Sequence, residues 1–311
     1  MLTSVRLRKR LKLRDFDTLV AVARCGSMAK AAAELSVSQP AVSKAIADLE
    51  HTIGVPLFDR TAQGVELTLY GDIAIKCARA VFDEIHQTVQ EIALAGDLSA
   101  GELRIAATEP MLGGFLAAVI VDLHRRFPHL RFEIDQPQSV DEQYRELRER
   151  RVDLVIGRVL QSGVADDVAS EQLFAEPWSV VAGQDNPLAR RRGLKLADLL
   201  DQPWTVPRDA SAIGRYMAEA FAEAGLPRPR IVVTCGSIQM HSALLASGPY
   251  LAIFPRSLLR FSPYRMAVKV LPVKLPGTPP PVGITTLKRR TLSPVVELFV
   301  ATARALAKPR A

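Results

Sequence analysis

The chain has 311 residues, 48% of them apolar, and 40 Lys and Arg against 33 Asp and Glu give it a net charge of +7. That length implies about two domains and the apolar share is ample for packed cores; the positive balance favours a polyanionic partner. A membrane protein is excluded on this reading, because the longest apolar run, Phe115 to Val121, is far short of the roughly 20 residues a bilayer demands.

The start is basic but no apolar stretch of the export type follows it, so a cytoplasmic location is expected. Cys25, Cys77 and Cys235 are far apart and lack metal spacing, which suits a reducing compartment. No cofactor or metal is expected. Arg6, Arg8, Lys9, Arg10, Lys12 and Arg14 precede the first acid, Asp15; they read either as a phosphate-seeking arm or as a solvated terminus.

A first helix is predicted over Leu13 to Arg24, with Phe16, Leu19, Val20 and Ala23 as its buried stripe. Gly26 ends it and Ser27 caps the next. From Ser27 to Arg60 the pattern is two short helices joined by a tight turn, followed by a loop. Ala31 and Leu35 are four apart, as are Ala45 and Leu49, so each pair shares a helix face. Val37, in the turn, is expected to plug the crossing of the two helices. Ser38 stands at the N-cap of the second helix, and Pro40 falls in its first turn, where a missing N–H costs little.

Gln39, Ser43 and Lys44 face away from Val42, Ala45 and Leu49. A glutamine can pair with an adenine edge, a serine can serve several bases, and a lysine can reach guanine or phosphate. This is the layout of a winged helix-turn-helix, which sets one helix in a DNA major groove. The competing reading is a plain helical hairpin with a solvated face. After Gly54, Leu57 and Phe58 are expected to pack back on the helices while Asp59 and Arg60 project, and Leu67 and Leu69 to complete a strand.

The segment SVSQPAVSKAIADLEHTIGVPLFDR, followed by LTLYG, resembles the DNA-binding domain of LysR-type transcriptional regulators. The resemblance implies DNA contacts by Ser38, Gln39, Pro40, Ser43 and Lys44, with Arg60 in the wing. Lys44 stands where the family often has arginine, and a point charge reads bases less selectively than a fork.

A long helix is predicted from Tyr70 to Leu94, striped by Tyr70, Ala74, Cys77, Val81, Ile85, Val89 and Ile92. Such a stripe needs a partner, and the small winged domain cannot cover it. Pairing with the same helix of a second subunit is the expectation, and the resemblance implies a dimer or tetramer as well. Residues 95–101 read as a hinge.

Beyond Gly101 strands alternate with helices: strand Leu103 to Ala107, helix Leu112 to Arg126, strand Leu130 to Ile134, helix Val140 to Arg150 and strand Val152 to Ile156. Further strands follow at Trp178, Trp204, Ile231, Leu251, Val268 and Val282, and a closing helix at Pro294. That is too many strands for one small parallel sheet. The resemblance implies a two-lobed α/β effector domain like a periplasmic binding protein, with crossings expected near Gln161–Val164 and Phe261–Arg265. The expected division is therefore 1–69 for DNA binding, 70–100 for the linker helix, and 101–311 for the effector domain. Its first lobe would be 101–161 with 266–311, and its second 162–265.

Ligands of open α/β sheets lie beyond the carboxyl ends of strands, near helix amino ends. On that rule Thr108, Glu109, Arg208, Ser237 and Ile238 are candidate effector contacts. Glu109 would disfavour an anionic ligand unless Arg208 or Arg158 offsets it. Cys235 has no second cysteine in this region with which to form a disulfide. The expected partners are double-stranded promoter DNA, a small effector such as an organic acid or sugar, a second copy of the chain and RNA polymerase. Two rival readings are a transport solute-binding protein, disfavoured by the helix-turn-helix, and an enzyme on the α/β lobes, for which no nucleophile elbow or glycine-rich phosphate loop is found.

Overall fold

A computed structural model describes residues 10–61, 64–96, 101–137, 139–159, 166–209, 211–261 and 268–308. The expected basic arm at Arg6–Lys9, most of the hinge at 97–100, the first expected lobe crossing and all but Phe261 of the second fall outside them. The chain divides into two compact units, residues 1–89 with 148–150, and residues 90–147 with 151–311.

The first unit opens with three helices, α1 (Leu13–Cys25), α2 (Met28–Glu34) and α3 (Gln39–Ile53), and a two-stranded wing, β1 (Phe58–Thr61) and β2 (Gly64–Leu67). Gly26 and Gly54 end α1 and α3 with φ of 61° and 90°, the left-handed cap that glycine adopts without penalty. Leu19, Val22, Ala31, Val42, Ile46, Leu49, Leu57, Phe58 and Ile75 form one buried core.

Four local expectations are corrected here. Val37 is 49% exposed and plugs nothing; Ser36 turns with φ of 56° and carries Val37 outward. Ile46 rather than Ala45 joins Val42 and Leu49 in the core, because 42, 46 and 49 share a face. Neither Ser27 nor Ser38 makes a side-chain cap bond; the Ser38 carbonyl instead accepts from the Ala41 and Val42 amides. Leu69 opens the next helix rather than closing a strand, because Thr68 Oγ1 accepts from the Gly71 amide 3.0 Å away.

That helix, α4 (Leu69–Gly96), runs 28 residues. Ile75 and Ala78 are buried in the first unit, whereas Tyr70, Ile73, Ile85, Val89 and Ile92 are exposed.

The second unit holds two five-stranded sheets. The first has the order β4-β3-β5-β12-β6, built from β3 (Glu102–Ala107), β4 (Arg131–Asp135), β5 (Leu154–Arg158), β6 (Val168–Phe174) and β12 (Val282–Leu287). The second has the order β11-β7-β10-β8-β9, built from β7 (Trp178–Gly183), β8 (Trp204–Val206), β9 (Ile231–Thr234), β10 (Leu251–Pro255) and β11 (Val268–Val270). In the first sheet β3 runs parallel to β4 and β5; in the second β8 runs parallel to β9 and β10. Helices α5 (Glu109–Met111), α6 (Ala117–Arg126), α7 (Val140–Arg148) and α11 (Pro294–Ala307) belong to the first lobe. The second carries α8 (Ala212–Glu223), α9 (Ile238–Ser247) and α10 (Arg256–Phe261).

Strand membership moves both crossings. β6 pairs with β12 over Val168 to Phe174, so the first lobe continues through Phe174 and the chain crosses at 175–177. β11 pairs with β7, so the return crossing lies between Val270 and Val282. Strand pairing between residues 115 positions apart, as in Ser170 and Thr285, is what holds β6 in the first sheet.

Each lobe has its own core, centred on Phe115, Leu123, Ile156 and Phe299 in the first and on Trp204, Phe221, Leu251 and Ile253 in the second. Between α5 and α6 the helix widens into a π turn, Leu112–Leu116. Gly114 within it sits against the Leu258 backbone, where an added Cβ would lie 3.4 Å from the Leu258 Cα, so α10 of the other lobe packs close.

Candidate functional site

Two surfaces concentrate chemistry. On the first unit, Gln39 and Pro40 occupy the first turn of α3 behind the Ser38 cap, with Ser43 and Lys44 on the next turn. Ser38, Gln39, Pro40 and Lys44 are exposed and Ser43 is half-buried, while Val42, Ile46 and Leu49 anchor the opposite face. The helix therefore presents polar side chains and its positive amino end together, a combination suited to phosphate and base edges. Arg60 is exposed on β1, paired with Val65, while its neighbour Phe58 is buried.

Sequence reasoning missed the residue that ties this wing to α3. Glu50 Oε1 accepts from the Leu57 and Phe58 amides at 2.7 and 3.1 Å, fixing the strand that carries Arg60 to the helix that carries Gln39. A glutamate seven and eight residues before its partners carries no local signal.

In the second unit, a cavity of about 470 Å³ opens between the lobes, within the usual size of a small-molecule site. Glu109, Leu112, Gly113 and Gln136 line it from the first lobe, and Gly236, Ser237, Ile238, Gln239 and Leu258 from the second. Glu109 Oε1 accepts from the Ile238 amide at 2.7 Å, joining the start of α5 to the start of α9. Burial raises the Glu109 pKa and the Ile238 bond partly offsets it. Ser237 caps α9, its Oγ accepting from the Met240 amide, which leaves the hydroxyl proton to donate.

Of the five expected effector contacts, the structure brings Glu109, Ser237 and Ile238 to this cavity. Thr108 caps α5 through its carbonyl, not its hydroxyl, and does not line the cavity. Arg208 is exposed and also outside the lining. Arg158 is turned elsewhere, with Nη1 donating to the Pro280 carbonyl at 2.6 Å. Neither arginine offsets Glu109. Gln136, missed in the sequence, follows β4 at its carboxyl end, so the strand-end rule applied to every strand would have found it.

His241, in the first turn of α9, is buried. Thr205 donates to Nδ1 at 2.7 Å and Nε2 donates to the Cys235 carbonyl at 3.1 Å. Burial lowers the His241 pKa against the raising effect of the Cys235 bond, so the ring stays neutral with both nitrogens engaged. Cys235 Sγ lies 3.9 Å from both ring nitrogens.

A winged helix-turn-helix on a long helix, joined to a two-lobed α/β domain with an interlobe cavity, defines a ligand-responsive DNA-binding regulator. Residues 13–72 match the family model described as a bacterial regulatory helix-turn-helix protein of the lysR family, and residues 96–308 match the LysR substrate binding domain. The chain belongs to the LysR family of transcriptional regulators. It is 31% identical over 306 residues to the transcriptional regulator GbpR of Azospirillum brasilense, covering 96% of this chain and 87% of that protein. It is 29% identical to the regulator PcaQ of Agrobacterium fabrum, with 89% of each chain covered. Full-length CbnR in complex with its target DNA has the same fold, with a TM-score of 0.63 at 23% identity over 95% of this chain and 99% of that one. A full-length single-substitution variant of OxyR from Pseudomonas aeruginosa gives 0.67 at 22% identity, over 94% and 95%. The relatives are DNA-binding regulators rather than enzymes. No helix among the described residues is long and apolar enough to cross a membrane.

Proposed function

We propose that this regulator acts in the cytoplasm, reads operator DNA chiefly through Gln39 and Ser43, and uses Ser38, Pro40, Lys44 and Arg60 to hold the helix and wing on the duplex. The observation that carries this reading is the division of α3 into a buried Val42–Ile46–Leu49 face and an exposed Gln39–Lys44 face. The exposed stripe of Ile73, Ile85, Val89 and Ile92 on α4 supports pairing of two copies, and a two-fold dimer offers two recognition helices to successive major grooves. A dimer of such dimers is the tetrameric form of the same arrangement. Bound beside a promoter, the assembly stands where RNA polymerase can meet it.

The effector is a small polar molecule of the sugar type rather than an organic acid, because the cavity lining among the described residues has glutamines, a serine and a carboxylate but no lysine, arginine or histidine. Its binding shifts the population of lobe arrangements and so changes how the dimers bend DNA. Hydroxyl-radical footprinting on operator DNA selected from a random pool tests the DNA arm. Two protected stretches related by two-fold symmetry and about one helical turn apart are expected; a single asymmetric footprint would overturn the dimer reading.

A further inference from the structure

Resting on the reading of the interlobe cavity as the effector site, we infer that Glu109 sets the chemical class of the ligand. Its carboxylate already occupies the position at the amino end of α9 that a ligand carboxylate would take. The cavity therefore selects ligands that donate hydrogen bonds to Glu109 and refuses those that bring a carboxylate of their own.

Three observations carry this. First, the Ile238 amide, the group on α9 best placed to receive an anion, is 2.7 Å from Glu109 Oε1. Second, no lysine, arginine or histidine lines the cavity among the described residues, so a second negative charge would meet Glu109 uncompensated. Third, Glu109 Oε2 has no hydrogen-bond partner among the described residues, leaving an acceptor at the cavity wall. Ser237 and Gln239 add a hydroxyl proton and an amide on the opposite wall, while Leu112 and Leu258 supply apolar surface for a carbon skeleton. Donors at one end, an acceptor nearby and an apolar face describe a neutral polyol; a protonated amine shares the donor chemistry.

Titration calorimetry on the full chain, with succinate as the anion, myo-inositol as the polyol and putrescine as the amine, tests the inference. Glu109→Ala frees the Ile238 amide and removes the charge; Glu109→Gln removes the charge but keeps an acceptor for that amide. The wild-type chain is expected to ignore succinate at millimolar concentration. Glu109→Ala is expected to bind it at least about tenfold more tightly than the wild type, with Glu109→Gln in between. Succinate binding by the wild type as tight as by Glu109→Ala, or no gain in either variant, would overturn the assignment. Should Glu109→Ala not fold, Glu109→Gln alone decides on the same criterion. The inositol and putrescine arms tell the two donor sources apart. Operator binding by the ligand-free wild type, measured in parallel, tests the regulatory reading separately.

Discussion

Arg158 and Trp178 stand face to face across the two lobes, the guanidinium carbon 4.0 Å from the indole centroid. Arg158 ends β5 of the first lobe and Trp178 begins β7 of the second, directly after the first crossing. The same guanidinium donates to the carbonyl of Pro280, on the return crossing, and Tyr216 packs edge-on against Trp178 with centroids 4.3 Å apart. One cation thus joins both crossings to both lobes. Burial pulls its pKa down to about 10, with Glu176 and Tyr216 opposing the fall, so it stays charged at neutral pH.

Arg158→Met is therefore expected to weaken the junction between the lobes. A desolvated cation–π contact is worth about 2 kcal/mol, and the buried Glu176 loses its positive neighbour. Both tryptophans of the chain, Trp178 and Trp204, lie in this domain, so their fluorescence in urea reports its unfolding alone. A lower midpoint is expected; an unchanged one would deny that Arg158 stabilises the junction.

Acid should unfold the effector domain through Asp153. Burial pushes its carboxyl up, but the bonds and charge of Arg104 and the charge of Arg290 outweigh it and hold the pKa below the ordinary value. Both partners are close, Arg104 Nη2 at 2.8 Å and Arg290 Nη2 at 2.5 Å, and the Arg290 side chain is only 2% exposed. A depressed carboxylate contributes stability that is complete above its unfolded value of about 3.9 and is lost as pH falls through the folded value. Asp153→Asn should cost about 3 kcal/mol at neutral pH, because it removes the buried negative charge that Arg104 and Arg290 share. It should also flatten the decline of stability below about pH 4. Urea midpoints across pH check both effects.

A second decline belongs to His241. Its pKa is lowered in the folded state, chiefly by burial, so folding favours the neutral ring. That contribution is whole above the unfolded value of about 6.5 and fades as pH falls below it toward the lowered folded value. His241→Gln should remove this limb while leaving the Asp153 limb in place, as followed by melting temperature against pH. Persistence of the upper limb in the variant would assign it to another group.

Val89→Glu places a charge on the exposed stripe of α4, where Val89 is 61% and Ile92 69% exposed in the single chain. Sedimentation velocity should show the wild type as dimer or larger and the variant shifted toward monomer. A variant that sediments as the wild type does would exclude this face from the subunit contact.

Much of this architecture was legible in the sequence, and the misses share a cause. Helix spacing, Gly26, Gly54 and the Gln39–Lys44 face are local signals, so α1 and α4 match their expected spans to within a few residues and α3 starts directly after its expected cap, Ser38. β6 escaped because VASEQLF buries only its first residue fully and reads as a polar loop; its place is fixed by pairing with a strand more than a hundred residues later. The first crossing was misplaced for that reason; the return crossing was misplaced because β11 pairs with β7 of the second lobe, a long-range pairing that its own sequence does not announce. The π turn at Leu112–Leu116 and the bond from the Ile238 amide to Glu109 depend on the second lobe packing against the first, which no window of sequence contains. Thr108 looked like a ligand contact because it follows a strand, but its side chain caps nothing and the next residue carries the chemistry.

The central claim, that α3 reads sequence through Gln39, is tested most directly by fluorescence anisotropy with operator and random duplexes over a range of salt. Gln39→Ala should lower the ratio of operator to random affinity by roughly tenfold, since a bidentate base contact discriminates by about 1–3 kcal/mol. Lys44→Ala and Arg60→Ala should instead weaken both duplexes and reduce the salt slope by about one unit each. An operator-to-random ratio unchanged by Gln39→Ala would contradict the account.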